Sequence, residues 1–276
     1  MNKFKLLLLI IFPLIIFSGC LQVNTKVNLN KNGSGTIEET VLMKSSVVKM
    51  MKDFMLSFDS TKTEEFDLFK EDELKSKATD YGEGVEYVSG EKVNIDGYEG
   101  FKAIYSFEDI NKIKINPSPE DKMPLGEEME EIEGTESSSM NENLRFTFTK
   151  GNPSTLVINF PQENKNEDSL IVESIPEVED STFNSDQMQK LIEMFDGMKL
   201  SLSFNFNNNI KETDASYIDG NEITLMKIDF SEIIKHKDIL EKLEKTKPES
   251  MEDFKNIVGE LPGIKVETKE TITTKF

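Results

Sequence analysis

In Leu200, Leu202, Phe204 and Phe206 every second side chain is apolar, while Ser201, Ser203, Asn205 and Asn207 between them are polar. Successive side chains of a β-strand point to opposite faces, so this period of two commits the segment to one buried face and one wet face. No helix can satisfy it. The same pattern appears where Val23, Thr25, Val27 and Leu29 alternate with Asn24, Lys26, Asn28 and Asn30. The break "NKNGSG" supplies residues that tolerate positive φ, and the extended pattern resumes through Ile37, Glu39, Val41 and Met43. A β-hairpin is predicted there.

Further strands follow the same logic. Gly84 to Phe107 reads as two strands joined at "DGYEG", the second with Phe101, Ala103, Tyr105 and Phe107 on one side and Lys102, Ile104 and Ser106 on the other. Leu144, Phe146 and Phe148 form a hairpin with Leu156, Ile158 and Phe160 around "KGNP". "YIDGNEITLMKIDF" predicts a turn at Asp219-Gly220 and a strand from Glu222 to Phe230, and a last strand runs from Ile264 to Ile272. Elsewhere the period lengthens to that of a helix. After a cap at Ser45 or Ser46, Val47, Met51, Phe54, Met55 and Phe58 share one helical face, and a weaker helix runs from Glu64 to Ala78. Met188, Leu191, Ile192 and Phe195 lie between a Ser185 cap and a Gly197 stop. Ser231 opens a helix bearing Ile233, Ile234, Leu240 and Leu243, and a short helix covers Met251 to Val258.

One-sided strands joined by hairpins call for antiparallel β-sheets with amphipathic helices packed on one face, an α+β fold. Residues 20–115 form an N-terminal α+β part and 144–276 a C-terminal one, either as two halves or as one sheet interrupted between them. The interruption, 116–143, contains "GEEMEEIEG" and too little apolar surface to offset an ordering entropy of roughly 1–2 kcal/mol per residue. A disordered acidic loop or linker is expected.

At the amino terminus, Lys3 and Lys5 precede an apolar run from Leu6 to Phe17, and the small residues Ser18 and Gly19 precede Cys20. That order is an export signal over residues 1–19, and its apolar run falls short of the roughly 20 residues that span about 30 Å of hydrocarbon. Cys20 is the chain's one cysteine, so intramolecular disulfides, zinc-thiolate clusters and CxxC pairs are excluded. The junction "FSGC" resembles the lipobox of bacterial lipoproteins. The resemblance implies cleavage between Gly19 and Cys20 and lipidation of the Cys20 thiol, whose thiolate is readily alkylated. Each buried acyl CH₂ contributes about 0.8 kcal/mol, so two or three chains hold the protein to a membrane. With Leu21 following Cys20 in place of an acidic residue, the same resemblance implies an outer membrane facing the periplasm if the source has two membranes.

Composition narrows the remaining classes. A formal charge of -20 without Lys/Arg clusters argues against nucleic acid or an anionic membrane surface as a partner. His236, the single histidine, lies between Lys235 and Lys237 and is expected at the surface. Runs such as Glu71-Asp72-Glu73 and Glu127-Glu128 read as solvated charge, and no calcium loop, P-loop, dinucleotide fingerprint, GxSxG or HExxH pattern is present. No catalytic residue, metal ligand or cofactor is therefore assigned, and a non-enzyme is expected.

The "NLNKNGSG" hairpin directly after the cysteine, with the later "DGMKLSLSFNF" and "DGNEITLMKIDF" segments, resembles the envelope lipoproteins of the mycobacterial LppM type. That resemblance implies an α/β domain exposed in the cell envelope. The leading expectation is a lipid-anchored, non-catalytic envelope lipoprotein that binds a partner or supports assembly. A carrier of an apolar ligand such as a lipid, with Met51, Phe54, Met55 and Phe58 lining a pocket, is the alternative. A hydrolase acting through carboxylates is third.

Overall fold

A computed structural model describes residues 21–58, 67–117, 143–161, 196–246, 248 and 250–276, without the side chains of 54–58 and 244. The export segment with Gly19 and Cys20, residues 118–142 of the acidic segment and the helix expected over 185–195 lie outside the described residues.

Strand β1 (Leu21–Leu29) runs through the interior of the larger sheet. It is antiparallel to β2 (Gly35–Lys44) along one edge and parallel to β7 (Lys199–Phe206) along the other. Beyond β2 come β4 (Tyr98–Phe107) and then β3 (Glu86–Ile95); beyond β7 come β10 (Glu222–Asp229) and β11 (Lys265–Val266), with β9 (Ile218–Asp219) also paired to β10. The sheet is thus mixed, and the parallel β1–β7 pair corrects the expectation of antiparallel pairing throughout. Alternation dictates which face of a strand is buried; it carries no information about the neighbour or its direction.

Register explains the core. Val23, Thr25, Val27 and Leu29 stand opposite Val41, Glu39, Ile37 and Gly35 on one side, and opposite Leu200, Leu202, Phe204 and Phe206 on the other. The rows continue into β4 through Phe101, Ala103, Tyr105 and Phe107. A second sheet, in the order β5 (Arg145–Thr149), β6 (Thr155–Asn159), β12 (Thr271–Lys275) and β8 (Glu212–Thr213), closes over this face. Phe146 meets Phe204 with ring centroids 5.5 Å apart, and Phe206 meets Phe276 at 4.6 Å. Each such buried ring contributes about 1.5–3 kcal/mol relative to exposure.

The helices depart from expectation at their ends. Helix α1 (Ser45–Phe58) leaves β2 directly and buries Val47, Val48 and Met51. Helix α2 (Glu71–Ser76) starts later than expected: Asp67 accepts the Phe69 N–H at 3.0 Å, a local bond that competes with helix formation. The helix expected to open at Ser231 is two helices, α3 (Phe230–Ile234) and α4 (Lys237–Thr246), and the cap is Asp229, which accepts the Ser231 N–H at 3.1 Å. With α5 (Met251–Val258), capped by Ser250, they enclose Ile233, Ile239, Leu243, Phe254 and Val258 against Ile228 and Val266. The strand expected over 264–272 is divided between the two sheets, as β11 and β12.

Two glycines are dictated locally. Asp96 and Gly97 both have positive φ, 51° and 79°, as the two-residue turn joining β3 to β4 requires. Gly90 of β3 has no such angle, but a Cβ there would stand 2.7 Å from the Tyr87 hydroxyl, 3.0 Å from Phe69 and 3.2 Å from Leu74. Gly90→Ala is expected to destabilise the fold by about 1–3 kcal/mol through overpacking. Urea denaturation measures it, and a midpoint unchanged from wild type would show that α2 does not press on β3 there.

Candidate functional site

The buried face of the larger sheet is apolar except near its centre. Glu39 of β2 faces inward between Thr25 of β1 and Ala103 of β4, and it is 0% exposed. A carboxylate so placed is costly unless a cation and hydrogen-bond donors reach it. A cation and a phenol do. The 3₁₀ turn Lys77–Thr79 after α2 brings Lys77 Nζ to 3.2 Å from Glu39 Oε2 and leads into Tyr81, whose hydroxyl interacts with the same carboxylate.

Aromatic rings wall the cluster. Tyr105 packs against Tyr81 at 5.0 Å and, edge-on, against Tyr87 at 6.0 Å. The Tyr105 side chain is fully buried, and its hydroxyl has no hydrogen-bond partner among the described residues. Burial, first, and then the Glu39 charge hold both the Tyr81 and Tyr105 hydroxyls well above the usual phenol range. The arrangement therefore compensates one buried anion with one cation and one phenol. It fastens the α2 segment onto the middle of the sheet, because Lys77 and Tyr81 approach from that segment while Glu39 belongs to β2.

A second buried carboxylate is fully hydrogen-bonded. Glu267 accepts the Ser216 N–H at 2.7 Å, the Ser216 hydroxyl at 3.0 Å, and the N–H groups of Thr268 at 3.1 Å and Lys269 at 3.3 Å. These bonds form the turn by which the chain passes from β11 to β12.

The residues singled out from sequence are scattered relative to this cluster. Met51 is buried on α1; Phe54, Met55 and Phe58 belong to the same helix, but their side chains lie outside the described residues. His236 is exposed at the joint between α3 and α4. Glu71, Asp72 and Glu73 occupy the first turn of α2, where Lys70 and Lys75 pair with them at the surface. Among the described residues no three His, Cys, Asp or Glu side chains converge as a metal site would need, and no helix is long and apolar enough to cross a membrane. The Glu39 cluster was not singled out from sequence. Its signal was a carboxylate in the inward register between Ile37 and Val41; Lys77 and Tyr81 carry no comparable mark.

No protein-family model and no curated protein matches this chain. A search of solved structures finds the folded domain of the Mycobacterium tuberculosis LppM protein, determined by NMR. It is 12% identical, covering 77% of this chain and 84% of that chain with a TM-score of 0.30. So loose a superposition leaves fold and role to be argued from this chain's own residues.

Two outcomes follow from the cluster. Lys77→Met strands a buried anion and is expected to cost about 3–5 kcal/mol, whereas Glu39→Leu with Lys77→Met recovers most of that loss. Equal destabilisation in both variants, read by urea titration, would mean the pair does not act as a unit. Because Tyr81 and Tyr105 hold their protons more tightly folded than unfolded, stability is retained below about pH 10 and falls as pH rises beyond it. Tyr105→Phe is expected to flatten that alkaline loss without destabilising the fold at pH 7, while Tyr81→Phe costs about 1.5–3 kcal/mol by removing a donor from beside a buried charged group. Melting temperatures measured across that range for both variants check the difference.

Proposed function

We propose that the protein is a lipid-anchored bacterial cell-envelope lipoprotein, acylated on Cys20, that serves in partner binding or envelope assembly and not in catalysis. The observation that carries this reading is the position of Leu21. It opens β1, pairs with Met43 and is 2% exposed, so the chain is already buried and paired at the residue that directly follows the lipobox cysteine. Acylation of Cys20 would place two or three chains at the first strand. An outer membrane facing the periplasm is the expected location if the source has two membranes. The alternative, a carrier of an apolar ligand, would place its pocket at Met51, Phe54, Met55 and Phe58 of α1, of which Met51 is buried and the other three side chains lie outside the described residues.

Growing cells with an alkyne fatty acid tests the proposal. Wild type should be labelled and sediment with membranes, and Cys20→Ser should be unlabelled and unprocessed. Equal labelling of the two proteins would refute acylation at Cys20.

A further inference from the structure

The end of the sheet at which β1 begins is a defined rim. Register places Leu21 beside Met43, Lys44 beside Tyr98, Tyr98 beside Ile95, and Lys199 beside Asp229. Helix α1 departs from the same rim, and its Ser45 N–H donates to Gly97 O at 2.9 Å, tying the helix start to the β3–β4 turn. Lys44 Nζ donates to Asp196 O at 2.6 Å, Gln22 Nε2 to Gly197 O at 3.3 Å, and Gly197 N–H to the Ser231 hydroxyl at 2.9 Å. Hydrogen bonds thus join β1, β2, the β7 approach and α3 into one rigid edge.

The strand lysines of the rim are neutralised, Lys44 by Asp196 at 3.4 Å and Lys199 by Asp229 at 3.0 Å, in a chain whose formal charge is -20. Ile95, beside the β3–β4 turn, is 54% exposed, and Met50, in the second turn of α1, is 40% exposed. The other two large apolar residues exposed among the described residues, Val88 and Ile218, belong to β3 and β9 toward the opposite end.

We infer that this rim is the surface that rests on the lipid bilayer, with the β3–β4 turn and the start of α1 seated among the headgroups. The inference depends on the anchor proposed above. Consecutive Cα atoms are about 3.8 Å apart, and β1 cannot peel away to lengthen the tether, because Leu21 is buried and paired with Met43. Neighbouring strands are about 4.8 Å apart, so the strand residues of the rim from β10 to β3 fall within roughly 20 Å of the acylated residue. A tether of no free length leaves this end little room to turn away from the membrane. The nine residues of β1 carry the opposite end about 30 Å outward. There the turn after β1 and the turn between β5 and β6 meet, with the Ser154 hydroxyl donating to Lys31 O at 3.0 Å, and these turns face any soluble partner.

Acylation of Cys20 leaves the full chain without a free thiol, so a cysteine introduced at Met50, Ile95 or Asn32 can be labelled alone with an environment-sensitive fluorophore. The lipidated proteins are reconstituted into phosphatidylcholine vesicles with and without a nitroxide-labelled lipid, and circular dichroism verifies folding. Fluorophores at 50 and 95 are expected to shift to shorter wavelength and be quenched, as groups at the headgroup boundary are, while that at 32 stays solvent-like and unquenched. Labelled Cys20 with equal spectra at all three positions, or with quenching greatest at 32, overturns the orientation and leaves the anchor standing. Absence of fatty-acid label on Cys20 overturns the anchor and the orientation with it.

Discussion

Both hydrogen-bonding edges of β1 are occupied, by β2 in one direction and β7 in the other, and the rest of the larger sheet is hung on those two pairings. The first is local, since β1 and β2 are joined by a short turn. The second joins residues far apart in sequence, with Asn205 bonded to Asn28 and Asn207 to Asn30 across 177 positions at 3.1 and 2.6 Å. Closing such a loop costs entropy that grows only logarithmically, about 0.6 kcal/mol per doubling of length. The aromatic surface of β7 more than offsets it, because Phe204 and Phe206 are buried against β1, against Phe146 of the second sheet and against Phe276, which follows its strand β12.

Glu39 stands in the same inward rows and is their one carboxylate. Burying a charged pair is weak evidence of stability, because desolvation consumes most of the Coulomb attraction. Its effect here is positional: β2 offers one place at which Lys77 and Tyr81 can satisfy an anion, so the α2 segment has one seat on the sheet. Close packing around Gly90 supports the same seat, since Phe69, Leu74 and Tyr87 fill the space where a side chain would otherwise stand. Polar specificity and steric fit thus point to one arrangement.

Much of this was legible in residue order. The β1–β2 hairpin, the turn at Asp96-Gly97, the hairpin around "KGNP" and the strand ending at Phe206 all follow from period-two patterns and turn residues. What misled were signals that local chemistry overrides. Asp67 diverts its backbone from the expected helix, and Asp229 takes the capping role that Ser231 was expected to fill. A continuous last strand was expected where Glu267 instead gathers donors and turns the chain from one sheet to the other. Glu39 was visible as a charge in an apolar register, but its partners lie about forty residues onward in a segment with no distinctive pattern.

By itself the sequence determined which side of each strand is buried, where the hairpins turn, and that one cysteine stands between an apolar tract and the first strand. These are properties of neighbouring residues, set by side-chain alternation and by backbone angles that Gly and Asp tolerate. Only the tertiary structure decided that β1 takes β7 as a parallel partner, that Glu39 meets Lys77, and which residues share the rim where the chain enters the fold. Partner and direction depend on which buried rows fit together in space, and a period of two is the same whichever strand lies alongside.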